Sequence, residues 1–195
     1  MYQSSMSFKH TARKTTSTVS EAECDLQPAG RGFYELNISG KFPPRWLANL
    51  TSALAARGIS IQRGNASKLT PSLWQATLEI APAGGGELPA GLDFPALAQT
   101  TAAADPAAVP LHLDSYTLEQ REGTLFVEVR GADSVGFLVA LLKTFAFFSL
   151  FPAEVQIDTP GGRVHDRFWL KGVGGLAPSE SSRQGLQIEL DKLCR

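Results

Sequence analysis

Two stretches of the chain share one pattern of apolar and polar positions. A segment with period-two alternation, which is typical of a strand, is followed in both by apolar residues at helical spacing, which indicate a helix with one buried face. The matching positions, each shifted by 91, are Leu36–Gly40 and Val127–Gly131, Trp46 and Phe137, Leu47 and Leu138, and Leu50 and Leu141. The sequence therefore contains an internal repeat, and each copy begins with a strand, passes a glycine and enters a helix.

Each copy returns to extended structure after this helix. The later elements predicted in the first copy are strands from Gly58 to Ile61 and from Leu73 to Ile80, a helix from about Phe94 to Ala103, and a strand from Leu111 to Leu118. Those predicted in the second copy are strands over 153–159 and 164–170, a turn at Pro160-Gly161-Gly162, and a helix from about Pro178 to Leu193. The order is β-α-β-β-α-β in the first copy and β-α-β-β-α in the second, whose last strand is absent or supplied from elsewhere.

These patterns predict an α+β protein built from two ferredoxin-like (βαββαβ) modules in tandem, with antiparallel sheets and the helices on one face. Residues 1–31 are rich in Ser and Thr, and we expect them to form a disordered polar tail. The first, more divergent module is expected to cover residues 32–121, and the second residues 122–195.

Composition narrows the possible functions. The chain of 195 residues has 18 Lys and Arg against 19 Asp and Glu, a formal charge of −1, which argues against nucleic-acid or membrane-surface partners. The most hydrophobic segment, 137–152, contains Lys143 and is shorter than the roughly 20 apolar residues that span a bilayer. Cys24 and Cys194 lie near opposite ends of the chain, so we expect no disulfide framework, no metal site and a reducing, cytoplasmic location.

Residues 124–172 resemble the ACT domain, above all in the segments 131–138 and 161–170. The stretch is most similar to the tandem ACT pair at the C-terminal end of the uridylyltransferase/uridylyl-removing enzyme of nitrogen regulation. Asp133-Ser134-Val135-Gly136 matches the Asp-x-x-Gly turn of the family, with Ser-Val where Arg-Pro is usual. The corresponding turn of the first copy, Lys41–Arg45, has neither the acidic residue nor the glycine. The resemblance implies a ligand-responsive module that commonly binds amino acids and pairs side by side with another.

The same turn is a plausible binding site on physical grounds. A glycine lets a ligand approach the backbone, and the unpaired N–H groups of the first helical turn favour an anion. Asp133 or Ser134 could instead cap the helix, and for Asp133 we expect this role. The resemblance places the ligand between the turn and the second strand of a paired domain. The candidate ligand-binding residues are Ala132, Asp133, Ser134, Val135, Gly136, Phe137, Gln156 and Ile157.

Other chemistry has less support. His165-Asp166 is typical of metal-dependent phosphohydrolases, but it falls in a predicted strand far in sequence from His10 and His112, so we expect a partly exposed sheet histidine. No acid/base or nucleophile constellation is present, and we expect neither catalysis nor a cofactor. The favoured hypothesis is a sensor of an amino acid that changes association with itself, as a homo-oligomer, or with a protein partner. The alternative is an interaction module without a pocket, because Pro43 and Pro44 remove N–H donors from the first turn.

Overall fold

The computed structural model describes residues 13–16, 22–100 and 111–194, which form one antiparallel sheet of nine strands with four α-helices. The strands are β1 (Arg13–Thr16), β2 (Ala22–Gly30), β3 (Phe33–Lys41), β4 (Ile59–Lys68), β5 (Leu73–Pro82), β6 (Ser115–Arg121), β7 (Thr124–Ala132), β8 (Phe151–Asp158) and β9 (Arg163–Lys171). The helices are α1 (Trp46–Ala55), α2 (Phe94–Gln99), α3 (Phe137–Phe147) and α4 (Glu180–Leu193). This composition confirms the α+β class with antiparallel pairing.

The sheet joins the two halves of the chain edge to edge. Its strands lie in the order β1-β2-β3-β5-β4-β8-β9-β7-β6. Strand β4 of the first half therefore lies next to strand β8 of the second half at the middle of the sheet. Five antiparallel residue pairs connect these two strands, from Arg63 opposite Asp158 to Ser67 opposite Glu154. The repeated strands β3 and β7 take equivalent places in the sheet. Strand β3 lies between β5 and the outer strand β2, and β7 lies between β9 and the outer strand β6.

One face of the sheet carries the core. Alternate residues of the central strands are buried together with the apolar stripes of all four helices in a single cluster, which includes Leu36, Ile38, Leu78, Val129, Phe168, Trp46, Leu50, Phe94, Phe145 and Leu186. Trp46 lies between Phe42 and Trp74, with ring centroids 5.1 and 5.4 Å away. The helices therefore cover one face of the sheet, as predicted. The other face, here called the polar face, carries the residues that alternate with the buried ones along each strand. None of the described helices is long and apolar enough to cross a membrane.

Most predicted elements are confirmed. The stripe at Trp46, Leu47, Leu50 and Leu54 forms the buried side of α1, and Gly58 after it has a φ of +66°. The apolar stripe of the second copy lies in α3, and the Gly-Gly turn separates β8 from β9. The second predicted helix is shorter than expected, since α2 ends at Gln99, and its last three predicted residues, 101–103, lie outside the described residues.

The prediction of a disordered tail over residues 1–31 is wrong for the part that is described. Ala22–Gly30 forms β2, which pairs along β3, and Arg13–Thr16 pairs with β2 in turn. Arg31 and Gly32 connect β2 to β3, both at positive φ, as a tight hairpin turn requires. Ala22 and Cys24 are buried on the helix side of the sheet. They alternate with Glu23 and Asp25, and this alternation is too short to predict a strand from the sequence. Residues 1–12 and 17–21 of this tail lie outside the described residues.

The strand predicted to close the first copy belongs elsewhere. It runs over Ser115–Arg121, not Leu111–Leu118, and forms a hairpin with β7 of the second half. It thus occupies the place that the second copy was predicted to lack, while β2 occupies the equivalent place beside β3. In each half the outer strand therefore precedes the repeated strand in the chain instead of following the second helix. A tight hairpin closes the shortest possible loop, which costs little chain entropy.

Gly64 lies at the joint between the halves, because β4 pairs with both β5 and β8. A Cβ added there would lie 2.5 Å from the carbonyl oxygen of Thr77 and 2.9 Å from the Cα of Leu78. We expect Gly64→Ala to force β4 away from β5 and to lower the free energy of unfolding by about 1–3 kcal/mol. Urea denaturation followed by circular dichroism measures this. Ser67→Ala, on the polar face of the same strand, is the control, and equal stability of the two variants would contradict the prediction.

Candidate functional site

The turn between β7 and α3 is held by backbone contacts and leaves the helix without a side-chain cap. Gly136 is the N-cap residue, with a φ of +94°, a conformation that glycine adopts without strain. The N–H of Asp133 donates to the carbonyl of Gly162 at 2.9 Å, and that of Phe137 to the carbonyl of Ser134 at 3.0 Å. The Asp133 carboxylate accepts from the N–H of its neighbour Ser134. The predicted capping role of Asp133 is therefore wrong, and no side chain caps α3.

This turn opens into a cleft between the two halves, here called the open cleft. Its walls come from the turn and first residues of α3, from α1 and the start of β4 in the other half, and from β8 and β9 below. The lining residues are Thr51, Ala55, Ile59–Ile61, Asp133–Val139, Ile157, Thr159, Val164 and Asp166. The space between them is about 520 Å³ including the part open to solvent, of which about 50 Å³ has room for the centres of water-sized molecules. The unpaired N–H groups of a helix start thus face a partly enclosed space.

The structure brings together most of the predicted site residues. Asp133, Ser134, Val135, Gly136, Phe137 and Ile157 all line the open cleft. Ala132 and Gln156 do not. Ala132 is exposed at the end of β7, and Gln156 lies on the polar face beside Arg63 and Asn65. Since side chains alternate along a strand, Gln156 and Ile157 cannot both face the cleft.

The strand that faces the turn from the other half was missed by sequence reasoning. It is β4, through Ile59, Ser60 and Ile61, with Thr51 and Ala55 of α1 beside it. The internal repeat was a signal for this arrangement. If the first copy pairs with the second copy in the same chain, the strand after Gly58 lies opposite the turn at residues 133–136.

A second cleft, here called the filled cleft, lies at the equivalent place on the other side of the joint. Pro44, Arg45, Trp46, Leu47 and Ala48 provide the turn, while Leu142, Ala146, Leu150, Phe151 and Pro152 provide the facing helix and strand. Each of these ten residues is 91 positions away in the sequence from a residue that lines the open cleft. The matching residues of the open cleft are Val135–Val139, Thr51, Ala55 and Ile59–Ile61. Large apolar side chains leave only about 20 Å³ for the centres of water-sized molecules here.

The floor of the open cleft carries a buried carboxyl group. Asp166 is 2% exposed, and its Oδ1 accepts a hydrogen bond from the N–H of Asp158 at 3.1 Å. Burial raises the pKa of Asp166 to about 7, and the negative charges of Asp133 and Asp158 add to the rise, against the opposing effect of that hydrogen bond. Partial burial also raises the pKa of Asp133 above its usual value. Among the described residues that line this cleft there is no Lys, Arg or His.

The two members of the His165-Asp166 pair point to opposite faces of the sheet. His165 lies on the polar face, where its Nε2 is 3.2 Å from Glu128 and close to Arg130 and Arg167. Burial raises the pKa of Glu128, but hydrogen bonds from these three residues outweigh it, so the net shift is downward. Within the described part of the chain, no group of three or more His, Cys, Asp or Glu residues is placed to hold a metal ion.

Comparisons with known proteins do not assign the chain to a family. No family model matches it, and no curated protein does. Among solved structures, the crystal structure of aspartate kinase from Synechocystis is similar over 84% of this chain and 28% of that chain, at 15% identity and a TM-score of 0.46. This chain thus corresponds to less than a third of that protein. The resemblance to the ACT pair of the uridylyltransferase/uridylyl-removing enzyme remains a prediction from its motifs.

The buried carboxyl group makes stability depend on pH in a defined direction. Because the pKa of Asp166 is about 7 in the native state and near 3.8 when exposed, the native state binds a proton that the unfolded chain releases. Its contribution to the free energy of unfolding is therefore present at pH 4 and lost as the pH rises through 7. We expect Asp166→Asn to gain stability over the wild type by roughly 2–4 kcal/mol between pH 4 and pH 8. Urea denaturation of both proteins across this range measures it, and a difference that stays constant with pH would contradict the assignment.

Proposed function

We propose that this chain is a pair of ACT-type modules that binds a small zwitterion, an amino acid, in the open cleft. The observation that supports this most is the start of α3, which has no side-chain cap and faces a cleft made by both halves. Helix N–H groups and the helix dipole favour a carboxylate there. The Asp-x-x-Gly turn at residues 133–136, on which the resemblance to the ACT domain rests, lines the same cleft.

The modules of this proposal are the two halves on either side of the β4–β8 joint. β2 and β6 would serve as their outer strands, so the first boundary moves toward the N-terminus to include Ala22–Gly30, and the second to include Ser115–Arg121. Each half then has four strands beside two helices, although the outer strand comes first in the chain. No catalytic role is assigned to either half.

A ligand in the open cleft would act on the contact between the halves. It would touch α1 and β4 on one side and the turn before α3 on the other, so its binding free energy depends on how these elements are spaced. A ligand held between these elements is expected to widen the cleft. A ligand that favours the wider form shifts the population toward it, and we propose that this changes association with another copy or a protein partner.

A second candidate function is an interaction module in which the clefts serve only to join the halves. The filled cleft favours it, because Leu142 and Trp74 stand at the positions that Thr51 and Val164 occupy on the other side. Pro43 and Pro44 also lack the N–H groups that would hold an anion at the start of α1. The first half therefore matches this alternative better than the second half does.

Thermal unfolding of the whole chain with each of the common amino acids separates the two candidates. An amino acid present at a hundred times its dissociation constant adds about 2.7 kcal/mol to the stability of the native state. For a chain of this size we expect the midpoint to rise by on the order of 5–10 °C. Light scattering on the same samples tests whether the mass of the particle changes. A panel without any stabilising amino acid would overturn the sensor and favour the interaction module.

A variant that fills the open cleft locates the binding. Thr51→Leu introduces the residue found at the equivalent position, Leu142, and we expect it to abolish the rise in midpoint because the larger apolar side chain occupies the ligand's space. Ser67→Leu, on the polar face of β4, is the control and should keep the rise. Loss of the rise in the control alone, or its survival in Thr51→Leu, would place the ligand elsewhere.

A further inference from the structure

Asp166 is the one charged group at the floor of the open cleft whose surroundings supply no opposite charge. It stands on the helix side of β9, opposite Val129 of β7, and is 2% exposed. The charges that act on it are those of Asp158 on β8 and Asp133 on the turn, and both are acidic. Arg167, the next residue on β9, lies on the polar face and pairs with Glu128 at 3.1 Å, and Arg63 pairs with Asp158 on the same face at 3.2 Å.

A carboxylate in such a position is costly. Buried charges in proteins are normally paired with an opposite charge, because removal from water is otherwise not compensated. The single N–H of Asp158 satisfies one oxygen of the carboxyl group but brings no full positive charge. From α1 and β4 the cleft is lined by Thr51 and Ser60, which are neutral; the Thr51 hydroxyl donates to the carbonyl of Leu47, and the Ser60 hydroxyl accepts from the Gln62 amide.

The fold itself does not need a carboxyl group at this position. In the first half, Ala76 stands opposite Ile38 as Asp166 stands opposite Val129 in the second, and Ile38 and Val129 are equivalent positions of the repeat. Ala76 is 1% exposed within the core. The same architecture therefore accommodates an apolar residue, and the acid is found only on the side where the cleft is open.

We propose that Asp166 determines the specificity of the open cleft by accepting the ammonium group of the ligand. This inference rests on the proposed function of the cleft, and it defines the ligand more narrowly. The carboxylate of the ligand lies at the uncapped start of α3, while its protonated amine supplies the counter-charge that Asp166 lacks. The site then takes α-amino acids and rejects the corresponding 2-hydroxy acids, which would leave the buried carboxylate unpaired.

The pairing gives the affinity a characteristic pH dependence. Only the ionised form of Asp166 attracts an ammonium group, and with a pKa of about 7 this form is a minority below neutral pH. At pH 5 about 1% of Asp166 is ionised, so binding is expected to be about 100-fold weaker than well above pH 7. The negative charges of Asp133 and Asp158 raise the pKa of Asp166 and so act in the same direction.

An NMR titration of the Asp166 carboxyl carbon in the whole chain tests the pairing directly. The probes are the twenty common amino acids added singly, the 2-hydroxy acid of any amino acid that binds, and ethylammonium chloride. We expect an amino acid that stabilises the chain to lower the pKa of Asp166 by two units or more, and its 2-hydroxy acid to have no such effect. Calorimetry at pH 5 and pH 8 should show the 100-fold change in affinity.

Two variants separate a role in binding from a role in folding. Asp166→Asn keeps an acceptor for the N–H of Asp158, and Asp166→Ala copies Ala76, so both are expected to fold. In both, the amino acid should bind at least tenfold more weakly and with the same affinity at pH 5 and pH 8. Glu79→Gln, on the polar face of β5 and away from the cleft, should keep the pH dependence.

The outcomes distinguish this inference from the proposed function. An amino acid that stabilises the chain but leaves the titration of Asp166 unchanged, or binds Asp166→Asn as tightly as the wild type, overturns the inference and leaves the proposed function intact. A shift caused by ethylammonium without binding of any amino acid supports the ammonium site and overturns the amino-acid function. Absence of both a shift in the titration and a rise in the thermal midpoint with every probe overturns both.

Discussion

The pairing of β4 with β8 is the contact on which the rest of the structure depends. Each strand would otherwise be an open edge with unpaired N–H and C=O groups, and their antiparallel ladder satisfies both. It joins two four-stranded units, with β1 added at one edge, into one sheet of nine strands with a continuous core. Because the ladder is antiparallel, α1 and α3 come side by side, and the start of each lies against the facing helix and second strand of the other half. Both clefts are consequences of this joint.

The two clefts differ because the copies of the repeat have diverged at a few positions. Thr51, Ser60 and Asp166 on the open side correspond to Leu142, Phe151 and Ala76 on the filled side. The apolar set fills its space and adds to the core, whereas the polar set leaves a gap and a buried acid. Proteins tolerate such locally unfavourable groups mainly at functional sites, which is why the proposals concern the open cleft.

The sequence was informative about the site only within each element. The turn at residues 133–136 and the helix after it were predicted, because a glycine and a helical stripe are local signals. The prediction that Asp133 caps α3 was wrong, since Gly136 takes a left-handed conformation at the N-cap position and the carboxylate accepts from Ser134 instead. Ser60 was missed because it lies more than seventy residues from the turn in the chain, and only the joint between the halves brings them together.

By itself the sequence determined the α+β class, the internal repeat, the positions of the helices and most strands, and the turn that begins α3. These follow from periodicity and from glycine, which act over a few residues. The tertiary structure alone decided which strands are neighbours, including the placement of β2 and β6 before their partners in the chain, and which half faces which turn. It also decided that Asp166 is buried without a counter-charge, because burial and electrostatics depend on groups far apart in the sequence that the β4–β8 ladder brings together.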